Sequence, residues 1–499
     1  MLGIARTVTS ANRLLEALRV LDDDFRVQTV FTVDDGSPFA DGVRETLHAA
    51  GARTVSRDQA RRTSADLTVT ATENADLDGL AGPVVVLPHG VGFHKYVPDT
   101  AGTSTRVSGV VPRPRAEPPT MVVSHPDQAD QLGRMAPGTP VQVIGDVTLE
   151  RLIASERMVP RYRFALDVAD GQRLVVLTST WGSTSLWGTL PWLPGELMKS
   201  LPYDEYRTAL ILHPNVWFGH SPWQVRAWLA EALDAGLALV PPHEGWQATV
   251  AAADVMVGDH GSVTLFGAAL GKPLLLAAFG SEVVPGTAMA HLGNVAARLD
   301  PEQNLQQQLD AAKPVEGIRE SAFAGPEGST QKLRQLFYDR MGLPVPGRPA
   351  RVRAWPDPYP ERREPGSFVV CTDLTAPGTV VVRRHAPGGP AEKPEALIHH
   401  WAAYDDEPDQ DAVANAAVVA SRHRRDAHEL LRWHPGATCA GVADRVLLRD
   451  GTSVSVVVDV PVDPMFPALA VYAMWAAGLP LSGTVRLVVG PRVFKVTLG

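Results

Sequence analysis

The stretch DVMVGDHGSVTLFGAALGKPLLL, residues 254–276, decides the reading of the fold. It reads as a buried strand, a Gly-Ser corner, a short helix too apolar to be exposed, and a second strand beginning at Lys272-Pro273. A strand that turns directly into a helix and then into another strand is the repeating unit of a parallel sheet covered by helices. The helix that starts there aims its first unpaired N–H groups and the positive end of its dipole past the strand tip. Such a corner suits an anion, most often a phosphate. Ser262 would equally cap an ordinary turn, so the corner needs other parts of a site in the same sheet.

The pattern extends in both directions. Strands are expected in RLVVLTSTWG (173–182), TALILHPNVW (208–217), LALVPPHEGW (237–246), ADVMVGDHGS (253–262) and KPLLLAAFG (272–280). Upstream, MLGIARTV reads as a strand, and SANRLLEALRVL as a helix with Ser10 as its cap. FRVQTVFTV, ADLTVTA, GPVVVLPHG and TMVVSHP supply further strands, with a helix in ADGVRETLHAAGA ending at Gly51. The series pauses at VQVIGDVTLERLIAS, so a break is expected near residue 150. Two consecutive α/β series predict two Rossmann-like lobes, at 1–150 and 151–343, with ligands outside the carboxyl ends of the strands.

Residues 344–366 hold seven prolines and no hydrophobic period, which predicts a stiff linker. Beyond it, 367–499 reads as an α+β accessory domain. Strands are expected in SFVVCTDL and GTVVVRRH, a helix over 411–433, a hairpin at Asp450-Gly451 and two closing strands in GTVRLVVGPRVFKVTLG. The uncharged run 464–485 is cut by Pro467, Gly478 and Pro480 to about 12 residues of helix, a core length and not a membrane span.

At 499 residues the chain exceeds one core, and 45% apolar with 20% charged residues fits a globular protein. A net charge of −9 without a dense Lys/Arg block gives no reason to seek nucleic acid. The two cysteines, Cys371 and Cys439, lack metal-ligand spacing, form no disulfide framework and fit a reducing cytoplasm. The N-terminus has no signal-peptide pattern, and the expected location is cytoplasmic.

Several strand tips end in chemically capable residues: His89-Gly90 with Lys95 nearby, Thr178 to Trp181, His213-Pro214-Asn215, and Asp259 to Ser262. In a doubly wound sheet such tips converge on one crevice. Transfer from a nucleoside diphosphate requires stabilised charge on the departing phosphate, which a helix N-terminus with Ser262 and His260 would supply. An acceptor hydroxyl needs a base, and histidine titrates in the right range. His89 is the candidate base, and His213 the candidate second phosphate or leaving-group contact. Lys95 is placed to reach a phosphate or to be a surface lysine, and Trp181 and Trp187 to line an acceptor groove or to pack. Arg422, Arg424 and Arg425, interleaved with Asp426 and Glu429, read as a solvated helix face or an anionic-surface contact. No Asp-x-Asp motif lies near the tips, so no metal and no cofactor is expected beyond the nucleotide donor.

These residues resemble GT-B transferases, and among them most closely the CDP-glycerol glycerophosphotransferases of teichoic-acid synthesis. That pattern has His-Gly followed by Lys, a Pro-Thr-Trp-like tip, His-Pro, and an Asp-Tyr-Ser-Ser corner before a Phe-Asp helix and Gly-Lys-Pro. Matching positions here are His89, Gly90 and Lys95, Thr180-Trp181, His213-Pro214, Asp259 with Ser262, Phe266, and Gly271-Lys272-Pro273. Departures are the lysine one residue further on, Gly92 for proline, His260-Gly261 for Tyr-Ser, and Gly267 for the helix acid. This resemblance implies donor or phosphate contacts from Gly90, Lys95, Thr180, Asp259 and Ser262, and a second one, to the donor-contacting corner of sugar-nucleotide transferases, implies them for His260 and Gly261.

His260-Gly261-Ser262 also resembles the His-Gly-Gly/Ser corner of UDP- and dTDP-sugar glycosyltransferases. There the nucleotide lies against a loop that corresponds to Pro242, His243 and Glu244, although Glu244 also reads as a solvated loop acid. Non-hydrolysing UDP-sugar 2-epimerases share the His-Pro tip and the Gly-Lys-Pro strand. The expectation is a metal-independent transferase using a nucleotide-activated donor. The alternatives are a UDP/dTDP-sugar glycosyltransferase or 2-epimerase-like enzyme, or a catalytically silent nucleotide-binding module. The expected partners are a small-molecule donor and an unnamed acceptor, with peripheral membrane contact left open.

Overall fold

A computed structural model describes residues 1–37, 39–98, 105–111, 117–325, 327–389, 397–423 and 425–499. Apolar residues alternate with helical stretches from the first residue, and each apolar run becomes a buried strand. The first lobe contains β1 (Leu2–Ala5), β2 (Val30–Val33), β3 (Thr68–Thr70) and β4 (Val84–Val86). A small hairpin, β5 (Tyr96–Pro98) and β6 (Thr105–Val107), precedes β7 (Thr120–Val123) and β8 (Val141–Val143). The sheet is parallel, in the order β2-β1-β3-β4-β7-β8. The expected pause at residue 141 is therefore a strand and a helix, Val141–Val143 and Val147–Ala154, the helix capped by Asp146.

The second lobe contains β9 (Arg173–Ser179), β10 (Tyr206–Leu212), β11 (Ala238–Val240), β12 (Val255–Gly258) and β13 (Leu274–Leu276). Their order is β11-β10-β9-β12-β13, again all parallel. The order reverses between β9 and β12, which makes their carboxyl ends the natural ligand crevice. Two such sheets facing each other are the GT-B arrangement. The helix Ser329–Met341 returns to the first lobe, where Leu333, Leu336, Phe337 and Tyr338 join its core.

The helix Val8–Leu18 is capped by Thr7, not Ser10; Ser10 occupies the third helical position and completes a reciprocal capping box. This follows from the strand ending at Ala5, which leaves Thr7 in extended conformation at the helix entry.

The proline-rich segment is an ordered strap along both lobes. Trp355 receives Arg151 over its ring at 3.5 Å, and Glu361 exchanges two 2.9 Å backbone bonds with Leu239 at the edge of the second sheet.

The C-terminal strands close into a barrel: β14 (Ser367–Asp373), β15 (Thr379–His385), β16 (Ile398–Tyr404), β17 (Val418–Ala420), β18 (Cys439–Val442), β19 (Arg445–Leu448), β20 (Ser453–Val458), β21 (Gly483–Val489) and β22 (Arg492–Leu498). The uncharged run forms a 12-residue helix, Met465–Ala476, whose side chains share one core with the strands' inner faces. That environment explains why the helix is apolar all round. Among the described residues no helix is long and apolar enough to cross a membrane.

The helix expected over 411–433 is instead two short helices, Gln410–Ala414 and Ala427–Trp433, separated by β17. Val418-Val419-Ala420 is β-prone and completes the barrel, so tertiary pairing overrides the helical pattern. Arg422 and Arg425 consequently lie outside any helix: Arg422 stacks on Tyr404 at 3.5 Å, and Arg425 pairs with Asp405 at 2.9 Å. Arg424 lies outside the described residues.

Barrel and second lobe are locked by a buried ion cluster. Arg384 donates to both Asp204 carboxylate oxygens at 2.8 and 2.9 Å, and Arg492 adds a bond at 3.0 Å.

Candidate functional site

Asp259, at the tip of β12, is fully buried and works as a strut. Its Oδ2 accepts the Thr180 and Leu186 N–H groups, each at 2.9 Å, and its Oδ1 accepts Gly261 N–H at 2.9 Å. The carboxylate thus ties the tips of β9 and β12 together at the topological switch point. Gly261 is the helix cap residue, and a Cβ there would stand 3.0 Å from Asp259 Oδ1 and 3.2 Å from Thr180, so glycine lets the β9 loop approach without a shift. Ser262 is the first residue of the helix, not its cap, which frees its hydroxyl for other partners.

That hydroxyl faces the first lobe. It accepts the Val91 N–H at 3.2 Å, and a Cβ on Gly90 would stand 2.5 Å from Ser262 Oγ. Beside it, Lys95 Nζ donates to Thr180 Oγ1 at 3.1 Å. Backbone bonds Tyr96 N to Glu282 O (2.7 Å) and Val284 N to His94 O (2.9 Å) continue the seam. Gly90, Lys95, Thr180, Asp259, Gly261 and Ser262 are therefore gathered at one place where the lobes touch.

Burial pulls the Lys95 ammonium below its ordinary range, against the pull of Asp259 and Glu282. The cation's hydrogen-bond partner is a neutral hydroxyl, so its charge remains available to an anion.

The two candidate histidines differ. His213 ends β10 and caps the helix Pro214–His220, its Nδ1 accepting the Asn215 N–H at 3.0 Å. An acceptor Nδ1 puts the proton of the neutral ring on Nε2. Burial, then the charges of His89 and Lys95, lower its pKa to about 3, so His213 is a neutral donor and not a base. His89 is exposed at the tip of β4. It sits near the buried carboxylate of Glu73: burial raises the pKa of that group, but the charge of His89 and backbone N–H groups hold it below the usual range.

His260 is turned away from the helix N-terminus. Its Nδ1 accepts Gly280 N–H at 3.0 Å, and its Nε2 lies 2.8 Å from Glu282 Oε1. Both ring nitrogens are committed to holding the 280–282 turn. Thr184 Oγ1 donates to the same Glu282 oxygen at 2.6 Å.

Pro242, His243 and Glu244 lie on the loop after β11. His243 and Glu244 are half-exposed and 3.7 Å apart, while the Pro242 carbonyl accepts from Asn12 of the first lobe at 3.4 Å. Lys272 Nζ donates to the Ala251 and Ala253 carbonyls at 2.6 and 3.0 Å, a structural role. Gly267 packs on Met256, whose Sδ would stand 2.1 Å from a Cβ there, so a side chain enters only by displacing the end of that methionine. Trp181 is partly exposed against Phe39 of the first lobe, ring centroids 5.1 Å apart, and Trp187 packs on Trp228 at 6.2 Å.

Sequence reading missed Glu73, His94 and Glu282. His94 adjoins Lys95 and is buried, its Nδ1 donating to the Gly92 carbonyl at 3.0 Å. Glu282 follows the β13 tip by a few residues, and a search of loops beyond the strand tips would have found it.

No family model and no curated protein matches the chain. Among solved structures it is similar to the wall teichoic acid polymerase TagF, at 12% identity and TM-score 0.46, covering 68% of this chain and 89% of that one. A UDP-GlcNAc 2-epimerase from Neisseria meningitidis bound to UDP-GlcNAc matches at 13% identity and TM-score 0.39, covering 68% and 98%. A putative UDP-N-acetylglucosamine 2-epimerase from Listeria monocytogenes matches at 11% and TM-score 0.45, covering 69% and 97%. The fold assignment rests on the strand orders described above.

Proposed function

We propose that the protein is an enzyme that binds a nucleoside-diphosphate-activated donor at the interlobe seam and transfers a group from it to an acceptor hydroxyl. The observation that carries this reading is the meeting of Lys95 and Gly90 from one lobe with Thr180 and Ser262 from the other, at the N-terminus of the helix Ser262–Ala269. In this reading the diphosphate lies against the first N–H groups of that helix, the Ser262 hydroxyl and the Lys95 ammonium. His213 donates from Nε2 to a phosphate or leaving-group oxygen, and His89 takes the proton of the acceptor. Asp259 and His260 hold the cradle's shape from behind.

The finer reading is a CDP-glycerol glycerophosphotransferase-like reaction that needs no metal. Gly267 favours a second reading, an NDP-sugar donor, because that helix position carries no acid. The test is release of CMP from CDP-glycerol, of UDP or UMP from UDP-sugars and of dTDP or dTMP from dTDP-sugars, with and without EDTA. CMP from CDP-glycerol supports the first, and a uridine or thymidine nucleotide from a sugar donor the second. No release from any donor and no conversion of a UDP-sugar into its 2-epimer, with nucleotide still bound, identify a silent binding module.

A further inference from the structure

Behind the first lobe, at the C-terminal end of the helix Val8–Leu18, lies a cavity of about 40 Å³ that shares no lining residue with the interlobe seam. Its walls come from three segments that connect the parts of the molecule: the crossover helix Val147–Ala154, the return helix Ser329–Met341 and the proline-rich strap. Six arginines line it: Arg19, Arg151, Arg334, Arg348, Arg351 and Arg353.

The acids in the same wall do not balance them. Asp22 pairs with Arg19 at 3.8 Å, and Asp23 is shared by Arg348 and Arg351 at 3.5 and 3.8 Å. Glu16 is engaged by the Thr148 hydroxyl at 2.6 Å and by Arg13 at 3.4 Å. Arg151, Arg334 and Arg353 have no carboxylate in ion-pair contact among the described residues. Arg334 is 3% exposed, donates from Nη1 to the Arg348 carbonyl at 2.8 Å, and leaves its buried Nε without a partner. Arg151 is likewise buried, its Nε donating to the Arg353 carbonyl at 2.9 Å.

Desolvated guanidinium groups without counter-charges are costly unless an anion completes them. Guanidinium forks match phosphate oxygens in geometry and charge. The cavity holds the equivalent of about three waters, room for one phosphate group, and it is open to solvent, so the rest of a larger phosphate compound extends outward. We infer that this cavity binds a phosphate-bearing anion, separately from the donor seam, and so ties the strap to the two interlobe helices.

The strap supplies its own reporter, because Arg351 and Arg353 are exposed trypsin sites within it. Limited proteolysis of the full chain, at constant ionic strength, is run against increasing pyrophosphate. Cleavage after Arg351 and Arg353 should slow at least fivefold and saturably. Arg353→Gln keeps the Arg351 site and alters an exposed side chain with no hydrogen bond or ion pair among the described residues, so it should fold normally and need about tenfold more pyrophosphate for half-protection. Arg151→Gln, its fold checked by circular dichroism, should do the same. Lys95→Met should protect as wild type does, which separates this site from the donor seam. Comparing pyrophosphate, glycerol phosphate and CDP identifies the source of the phosphate. Absence of protection, equal protection in both arginine variants, or its loss in Lys95→Met overturns the inference.

Discussion

Lys95 Nζ, carried by the first lobe, donates to Thr180 Oγ1, carried by the second, across 3.1 Å at the tip of β9. A buried ammonium whose hydrogen-bond partner is a hydroxyl holds the lobes together weakly and a diphosphate strongly. Lys95→Met should therefore lower nucleoside diphosphate affinity by about 10²-fold, whereas Thr180→Val, which removes only an uncharged acceptor and leaves the ammonium in place, should cost less than tenfold. Because burial lowers the Lys95 pKa, affinity should fall with rising pH below the range where an ordinary lysine titrates. Binding titrations across alkaline pH check both statements.

His213 has two separable roles. Its Nδ1 caps a helix, a task asparagine also performs, while only the imidazole offers Nε2–H. His213→Asn should keep wild-type stability and weaken donor binding; His213→Ala should do both harms, losing about 1 kcal/mol of stability as well. His89→Ala should leave nucleotide affinity intact and lower turnover by about 10²- to 10⁴-fold. Wild-type turnover in His89→Ala would remove it from the mechanism.

His94, His213 and His400 are held neutral with pKa values near 3, and His385 near 4, each lowered chiefly by desolvation of the ring. The unfolded chain binds their protons at about pH 6.5, the folded chain only far below. Between these limits the unfolded state holds more protons, so stability is complete above about pH 6.5 and is lost as pH falls toward 3 to 4. Thermal melts should show Tm dropping steadily below pH 6.5. His400 also has no hydrogen-bond partner for either ring nitrogen among the described residues, and its ring packs at a tilt against Tyr472, centroids 4.4 Å apart. His400→Phe should raise stability by about 1 kcal/mol and flatten the acid limb.

The barrel's attachment depends on Asp204. Arg384→Met leaves a buried carboxylate with only the more exposed Arg492, and should destabilise the protein by about 3–5 kcal/mol. Asp204→Asn combined with Arg384→Met should recover much of this, since no unpaired carboxylate remains. Denaturant unfolding of the single and double variants gives the comparison.

The α/β alternation was legible because strands buried on both faces read as continuous apolar runs, each ending in a Gly- or Pro-marked turn. Strand tips were legible for the same reason, and the structure brings Gly90, Lys95, Thr180 and Ser262 together. The role of each polar atom was not legible. Asp259 and His260 look like ligands in sequence, but the structure spends them on backbone N–H groups and on Glu282, partners fixed only by the packing of β9 and β13. The barrel's closure was hidden in β17, three residues within a helix-like pattern, where pairing with β16 and β18 decides the conformation. Ser10 read as the cap in sequence, and only the position of the strand end puts Thr7 in that place.

The central claim is that the seam at Ser262 is a diphosphate cradle. Isothermal calorimetry of CDP and UDP against cytidine and uridine, in wild type and Ser262→Ala, tests it most directly. The account predicts that the diphosphates bind at least tenfold more tightly than their nucleosides, and that Ser262→Ala, with an unchanged melting temperature, loses most of that advantage. Equal affinity for cytidine and CDP, and for uridine and UDP, in the folded wild-type protein would contradict it.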